Sequence, residues 1–160
     1  MNTSDEPIRL SKRLSELGYC SRREADTWIE QGWVTVDGVI QSQLGVRVYR
    51  HQVIAVTRRA RAKQEDKVTI LYHKPVGIIS GQAEKNYVSA TAMISLATRW
   101  KGDPVRRKFQ SVHLRHLAVA GRLDSDSSGL LVLTQDGRIA RQLIAPDSTI
   151  EKEYLVRFSG

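Results

Sequence analysis

The stretch RLSKRLSELGYCSRREADTWIEQGWVTVDGVI, residues 9–40, decides the fold of the N-terminal third of the chain. It begins with leucines at helical spacing and a glycine suited to end a helix: Leu10, Leu14, Leu17 and Gly18. The run Ser21-Arg22-Arg23-Glu24 has the pattern of a capping box and predicts a second helix. Asp37-Gly38, between alternating residues, is typical of a β-hairpin, and strand-like runs follow at 45–49 and 52–56. Two helices on a short sheet are therefore expected.

Arg22 and Arg23 lie where cations oppose the helix macrodipole, at a cost of a few tenths to about 1 kcal/mol. One interpretation is that both side chains are simply solvated. The other is that they bind phosphates together with the amides exposed at the same helix start. Lys12 and Arg13 in the preceding helix extend this second interpretation to a shared basic face.

The composition narrows the class of protein. The 160 residues carry a net charge of +8, with 11 basic and 7 acidic residues in 1–63 and 14 and 10 in 64–160, so both parts favour polyanions. No apolar stretch approaches the roughly 20 residues that span a bilayer, and the N-terminus lacks the apolar core of a secretory signal. The single cysteine, Cys20, excludes an internal disulfide and favours a cytoplasmic setting. The scattered histidines give no ligand spacing for a metal.

A second unit follows the basic segment TRRARAKQED, residues 57–66, which shows no apolar periodicity and is interpreted as a linker. The linker either is merely solvated or also contacts a polyanion through Arg58, Arg59 and Arg61. Residues 67–80, KVTILYHKPVGIIS, predict a strand interrupted at Lys74-Pro75. The divisions expected are therefore 1–56, 57–66 and 67–160.

The rest of the second unit alternates strands, loops and helices. The patterns predict a helix at 90–100, a basic loop at 101–110, a buried strand at 129–134, a helix at 138–145 and a final strand at 151–158. Together with the first unit this is an α+β chain with a mixed, mainly antiparallel sheet.

Asp124, in the segment GRLDSDSSGLLVLTQDG of residues 121–137, has two interpretations. An aspartate among Asp126, Ser127 and Ser128 is typical of a structural turn. Alternatively, Arg122 two residues earlier reaches a phosphate or replaces a base, and the carboxylate stays ionised in a basic cleft, as a nucleophile must.

Two resemblances bear on these alternatives. Residues 9–56 resemble the S4-type RNA-binding domain, in which two short helices on a small sheet grip structured RNA. Three later segments resemble the motifs of the RsuA-like pseudouridine synthases, which modify ribosomal RNA and carry an S4-type domain. In chain order these are YHKPVGIIS at 72–80, the segment 121–137 and IEKEYLV at 150–156. The implied activity is isomerisation of a specific uridine to pseudouridine in ribosomal RNA.

The resemblance also implies residue roles. Asp124 corresponds to the essential aspartate, which acts on the ribose anomeric carbon or on the uracil ring. Arg122 corresponds to an arginine that holds or replaces the flipped nucleotide, and Tyr154 to a tyrosine that stacks on the target base. The RNA-binding set expected is Arg9, Lys12, Arg13, Arg22, Arg23 and Lys74. The family works without a metal or organic cofactor, on structured RNA, as a cytoplasmic monomer.

One departure separates the chain from this family pattern. The family has a further arginine-rich motif well downstream of the tyrosine, and residues 155–160 contain nothing of that kind. We therefore expect only the N-terminal part of a catalytic domain, which binds RNA and turns over poorly. The alternative is a non-catalytic RNA-binding or ribosome assembly factor with a degenerate synthase domain. A translation or ribosome-rescue factor built on the S4-type domain fits less well, because the later motifs would be unexplained.

Overall fold

The computed structural model describes residues 6–81 and 86–158. Its α-helices are α1 Leu10–Glu16, α2 Arg22–Glu30, α3 Arg58–Glu65 and α4 Gly137–Ile144. Its strands are β1 Ile8–Arg9, β2 Val34–Val36, β3 Val39–Gln41, β4 Arg47–Val48, β5 Ile54–Val56, β6 Thr69–Lys74, β7 Ile78–Ile79, β8 Val88–Ser89, β9 Ala118–Val119 and β10 Gly129–Thr134. Short 3₁₀ turns occur at Ala90–Met93 and Ser111–Leu114. The α+β class is confirmed.

The first domain packs α1 and α2 on short antiparallel sheets, as predicted. Leucine, tryptophan and valine side chains from both helices and the sheets form one core, including Leu10, Leu14, Trp28, Ile29, Val34 and Val48. The predicted capping box is present, since the Ser21 hydroxyl accepts from the Glu24 amide and the Glu24 carboxylate accepts from the Ser21 amide. The predicted hairpin is also present, with Asp37 and Gly38 at φ 50° and 82°, the left-handed values that its turn requires.

The segment predicted as a linker is helical, which corrects the sequence interpretation. Thr57 caps α3, and Ala60, with no exposed surface, lies in the core of the first domain. Gln64, one turn later, is also buried. Only these two residues face inward, and one is polar, so the apolar periodicity that marks a packed helix was absent from the sequence. The division into residues 1–56, 57–66 and 67–160 stays a prediction. Within the middle segment, Ala60 packs in the core of the first domain.

The second domain is built on the antiparallel sheet β6-β10-β9. Leu131 and Leu133 of β10 face a core that also contains Ala90, Ile94 and Leu117. Leu130 lies on the opposite, exposed face, so the strand predicted to be buried is buried on one side only. The predicted interruption is confirmed, since β6 ends at Lys74 and the short parallel pair β7–β8 begins at Ile78.

Two predicted elements are wrong. The helix expected over 90–100 is limited to one 3₁₀ turn, because the Ser95 and Thr98 side chains bond to nearby backbone groups and stabilise turns instead. The strand expected over 151–158 is irregular. Strands form only with a hydrogen-bonded neighbour, and none of the strands within 6–81 and 86–158 pairs with this segment.

The two domains meet at the start of α4. The buried Asp136 carboxylate accepts hydrogen bonds from the Arg138 amide at 2.9 Å and from its guanidinium at 2.7–3.1 Å. The guanidinium also donates to the Gly18 carbonyl, at the end of α1, at 2.9 Å. Lys67 of the second domain pairs with Glu24 of α2. A Cβ on Gly137 would lie 2.7 Å from the Cβ of Ser21, so the backbones are in close contact here.

The packing of α3 leads to a prediction at Ala60. Ala60→Asp should lower the free energy of unfolding by about 3 kcal/mol or more, because it buries an unpaired carboxylate. Ala62→Asp, the same change on the exposed side of α3, should cost less than about 1 kcal/mol. Urea unfolding followed by circular dichroism measures both. Equal, small effects would mean that the segment is a connector without a packing role.

The contact between domains leads to a second prediction, at Asp136. Asp136→Asn keeps an oxygen that can cap α4 but removes the charge that Arg138 faces. The free energy of unfolding at neutral pH should fall by about 1–3 kcal/mol. Asp147→Asn, at an exposed carboxylate of the same domain, should leave it nearly unchanged. Thermal and urea unfolding give the two values.

The pH dependence of that effect has a defined sign. Burial raises the pKa of Asp136, but the hydrogen bonds and charge of Arg138 outweigh burial and hold it below its ordinary value of 3.8. A carboxyl group with a depressed folded pKa adds stability above its unfolded pKa and loses it as pH falls through the folded pKa. The advantage of the wild type over Asp136→Asn should therefore be full at neutral pH and shrink below about pH 4. An advantage that persists undiminished at about pH 2 would contradict this assignment.

Candidate functional site

The loop that carries Asp124 is held on both sides by the segment after β6. The Ser80 hydroxyl donates to the Leu123 carbonyl at 2.6 Å and accepts from the Leu123 amide at 2.9 Å. The Gly77 amide donates to the Ser125 carbonyl at 2.7 Å. The residues immediately before and after Asp124 are therefore fixed, while the Asp124 side chain is exposed. Two distant sequence motifs thus form one structural unit.

Lys74 supports this unit and does not reach the surface, which corrects its predicted role in RNA binding. It is fully buried, and its ammonium donates to the carbonyls of Pro75 at 3.1 Å and Ile78 at 2.6 Å. A buried ammonium is stable only with such partners. They stabilise the turn that contains Gly77, whose φ of 87° favours glycine. Lys74 therefore helps to position Gly77 against the Asp124 loop.

The two predicted partners of Asp124 are both exposed to solvent. Arg122 is exposed on the same loop, and Tyr154 is 65% exposed in the irregular segment 151–158. None of the three residues lines the cleft described below. The Asp124 carboxylate is accessible, whereas a basic groove shared by Asp124, Arg122 and Tyr154 stays a prediction, since the segment with Tyr154 pairs with no described strand.

The basic face of the first domain divides into paired and exposed cations. Glu16 lies 3.8 Å from the Lys12 ammonium, 3.7 Å from the Arg13 guanidinium and 3.2 Å from that of Arg50. The other three predicted RNA-binding residues of this domain are exposed, and no ion pair involves them within 6–81 and 86–158: Arg9, Arg22 and Arg23. A phosphate can bind these three cations without displacing a carboxylate.

A cleft of about 900 Å³ lies between the two domains. Its basic side chains outnumber its acidic ones: Arg23, Lys63, Lys67, Arg107, Lys108 and Arg115 against Glu24 and Asp66. Lys108 and Arg115 are not in the predicted RNA-binding set. Their signal was the basic loop at 101–110 and the charge-rich stretch after it, which the sequence could not place against the first domain.

Within 6–81 and 86–158, no group of three or more His, Cys, Asp or Glu side chains is placed to hold a metal ion. No helix in the part of the chain that the structure describes is long and apolar enough to cross a membrane. Burial raises the pKa of the Cys20 thiol to about 12, so this cysteine stays protonated at neutral pH.

Fold and charge together define a two-domain α+β protein whose basic surfaces suit a nucleic acid. Comparison with known families makes this specific. The model of the RNA pseudouridylate synthase family matches residues 68–159, and the model of the S4 domain matches residues 8–54. The chain belongs to the RNA pseudouridylate synthase family, and its N-terminal part is an S4 domain. Both resemblances inferred from the sequence are thereby confirmed.

Curated relatives agree with this membership. The chain is 34% identical over 155 residues to the dual-specificity RNA pseudouridine synthase RluF of Salmonella typhi, covering 96% of this chain and 47% of that protein. It is 34% identical over 152 residues to the ribosomal large subunit pseudouridine synthase B of Bacillus subtilis, covering 95% and 56%. A crystal structure of a pseudouridylate synthase aligns with 88% of this chain and 54% of that one at 22% identity, with a TM-score of 0.40. The chain thus spans about half the length of the curated relatives it matches.

The exposed arginines of α2 lead to a prediction about affinity. Arg22→Ala with Arg23→Ala should weaken binding to structured RNA and reduce the slope of log affinity against log salt by about 1–2, the effect of two lost phosphate contacts. Lys101→Ala with Arg141→Ala removes the same charge at two exposed positions outside the cleft and should change the slope less. Fluorescence anisotropy across a salt series measures both pairs. An unchanged slope in the α2 pair would show that its side chains are merely solvated.

Proposed function

We propose that this protein isomerises a specific uridine to pseudouridine in structured ribosomal RNA, with Asp124 as the essential carboxylate. The observation that carries the proposal is the Asp124 loop, whose flanking residues Leu123 and Ser125 are bonded to Ser80 and Gly77 while the carboxylate itself faces solvent. Family membership supports the reaction type. The names of the two curated relatives, an RNA pseudouridine synthase and a large-subunit ribosomal one, support the substrate class.

The reaction needs a carboxylate that is accessible and fixed. Asp124 attacks either the ribose anomeric carbon or the uracil ring and forms a covalent bond there, and the bond between the anomeric carbon and the ring nitrogen breaks. The freed uracil rotates and rejoins the anomeric carbon through a ring carbon, which loses a proton while the nitrogen gains one. The bond to Asp124 breaks in the same sequence, so the carboxylate is regenerated. Atoms and electrons balance without water, an oxidant or a reductant, so a second carboxylate that activates water is not required.

Arg122 and Tyr154 bind the target nucleotide after it leaves the RNA stack. The uridine must leave its stack before the glycosidic bond is accessible, which costs a few kcal/mol. Arg122, two residues before Asp124 and exposed, replaces the base or holds its phosphate. Tyr154 stacks on the flipped uracil, and such stacking recovers about 1–3 kcal/mol per base. The exposed ring of Tyr154 is available for this contact.

The S4 domain supplies affinity for RNA, chiefly through Arg9, Arg22 and Arg23. Lys12 and Arg13 contribute less, because Glu16 already neutralises part of their charge. We place the protein in the cytoplasm, where ribosomal RNA is modified, and take it to act as a monomer without a cofactor.

A second candidate function is a non-catalytic RNA-binding or ribosome assembly factor. The observation that favours it is the irregular segment 151–158, in which Tyr154 is 65% exposed and which pairs with none of the described strands. Such a protein would use the S4 domain for RNA and leave the Asp124 loop without a chemical task. The Asp124→Asn experiment separates the two functions.

Asp124→Asn should preserve folding and RNA affinity but lower pseudouridine formation by roughly three orders of magnitude or more, because Asn keeps the shape of Asp without its charge and nucleophilicity. The measurement is pseudouridine content in ribosomal RNA incubated with the longest chain that the gene encodes, read by liquid chromatography of the nucleosides because the two isomers have equal mass. Asp126→Asn, an exposed carboxylate two residues later, is the matched control and should stay active. Appreciable turnover by Asp124→Asn would remove the catalytic assignment, and an inactive wild type would favour the assembly factor.

A further inference from the structure

The cleft between the two domains has the charge of an anion-binding surface. Its two carboxylates are already neutralised, Glu24 by Lys67 and Asp66 by Arg107 at 3.3 Å. Arg107 also donates to the Asp66 carbonyl at 2.8 Å, so its guanidinium serves the end of α3. The paired side chains hold the domains and leave the remaining cations of the cleft to determine its potential.

Three of the remaining cations are exposed and make no ion pair within 6–81 and 86–158: Arg23, Lys108 and Arg115. A fourth, Lys63, has its ammonium 5.5 Å from the centre of the Trp33 ring, a cation–π contact. Arg23 belongs to the first domain, whereas Lys108 and Arg115 belong to the second. Unpaired positive charge therefore lines the cleft from both domains.

The part of the cleft that carries Arg115 is anchored. The Gln135 side-chain amide donates to the carbonyls of Val112 at 3.1 Å and Arg115 at 2.7 Å. Its oxygen accepts from the Val68 amide at 3.1 Å, next to β6. His113 in the same turn is buried and accepts from the Gln110 amide at 3.1 Å. A cation on an anchored turn loses less conformational entropy when it binds a phosphate.

We propose that this cleft holds a segment of RNA backbone, with phosphates on Arg23, Lys108 and Arg115. The inference rests on the proposed function, because it takes RNA as the substrate, and it adds a second contact surface beyond the S4 helix pair. A volume of about 900 Å³ is at the upper end for a single small molecule. Cations distributed over two domains fit successive phosphates along a strand, which is the arrangement that gives affinity without sequence preference.

The test removes two charges from the second-domain side of the cleft. Lys108→Gln with Arg115→Gln should reduce the slope of log affinity against log salt for an RNA hairpin by about 1.4–1.8, given roughly 0.7–0.9 per phosphate contact. Lys101→Gln with Arg141→Gln, which lowers the net charge equally at exposed positions outside the cleft, should leave the slope nearly unchanged. Thermal unfolding of both pairs checks that the fold is retained.

Each outcome bears on the proposal. A salt-dependence slope that falls only in the Lys108 and Arg115 variant supports the proposal. An equal fall in the Lys101 and Arg141 variant overturns it, because the effect then comes from net charge alone. A polyglutamate peptide that competes with the hairpin as well as unlabelled RNA does would also overturn it, in favour of an acidic protein partner. The slope is read without turnover, so a lower slope combined with no pseudouridine formation retains the cleft and rejects the proposed function. An unchanged slope in an active enzyme rejects the cleft alone.

Discussion

The contact of Asp136 with Arg138 and the end of α1 determines how the two halves of this molecule are arranged. Asp136 is almost fully buried, and a buried carboxylate is tolerated only with a charged, hydrogen-bonding partner. Arg138 supplies that partner and also donates to the Gly18 carbonyl, one of the acceptors that a helix end leaves unused. One ion pair therefore caps α4, stabilises the end of α1 and fixes both sides of the cleft. Gly137 is required in the same place, because a larger side chain would collide with Ser21.

The Asp124 loop is likewise held by one buried charged residue and a few hydrogen bonds. Lys74 is the most deeply buried charged side chain among the described residues, and both of its bonds go to carbonyls of one turn. That turn presents Gly77 and Ser80 to the residues beside Asp124. An exposed carboxylate gains little from its own contacts, so its position depends on the backbone around it. The segment from Lys74 to Ser80 thus fixes the position of the Asp124 loop, although the two are far apart in sequence.

Local signals predicted most of the first domain, and nonlocal ones explain the errors. The capping box at Ser21 and the Asp37-Gly38 turn lie within short stretches, so the sequence contains their whole cause. The burial of the Lys74 side chain depends on a turn that closes over it, and the spacing of residues in the sequence does not reveal that turn. The helix α3 was missed because its inward side is one alanine and one glutamine, Ala60 and Gln64. The segment with Tyr154 was predicted as a strand from its composition, but a strand exists only with a neighbour.

The same distinction applies to charge. The net charge of +8 predicted a polyanion partner, but it does not distinguish paired cations from unpaired ones. The structure separates them by the carboxylate or carbonyl that each one faces. Lys67 and Arg107 are committed to Glu24 and Asp66, whereas Arg23 makes no ion pair within 6–81 and 86–158. A phosphate that binds an unpaired arginine displaces only water and salt ions, whereas one that binds a paired arginine must also break an ion pair. The ion pairs that join the domains thus also select which cations remain for RNA.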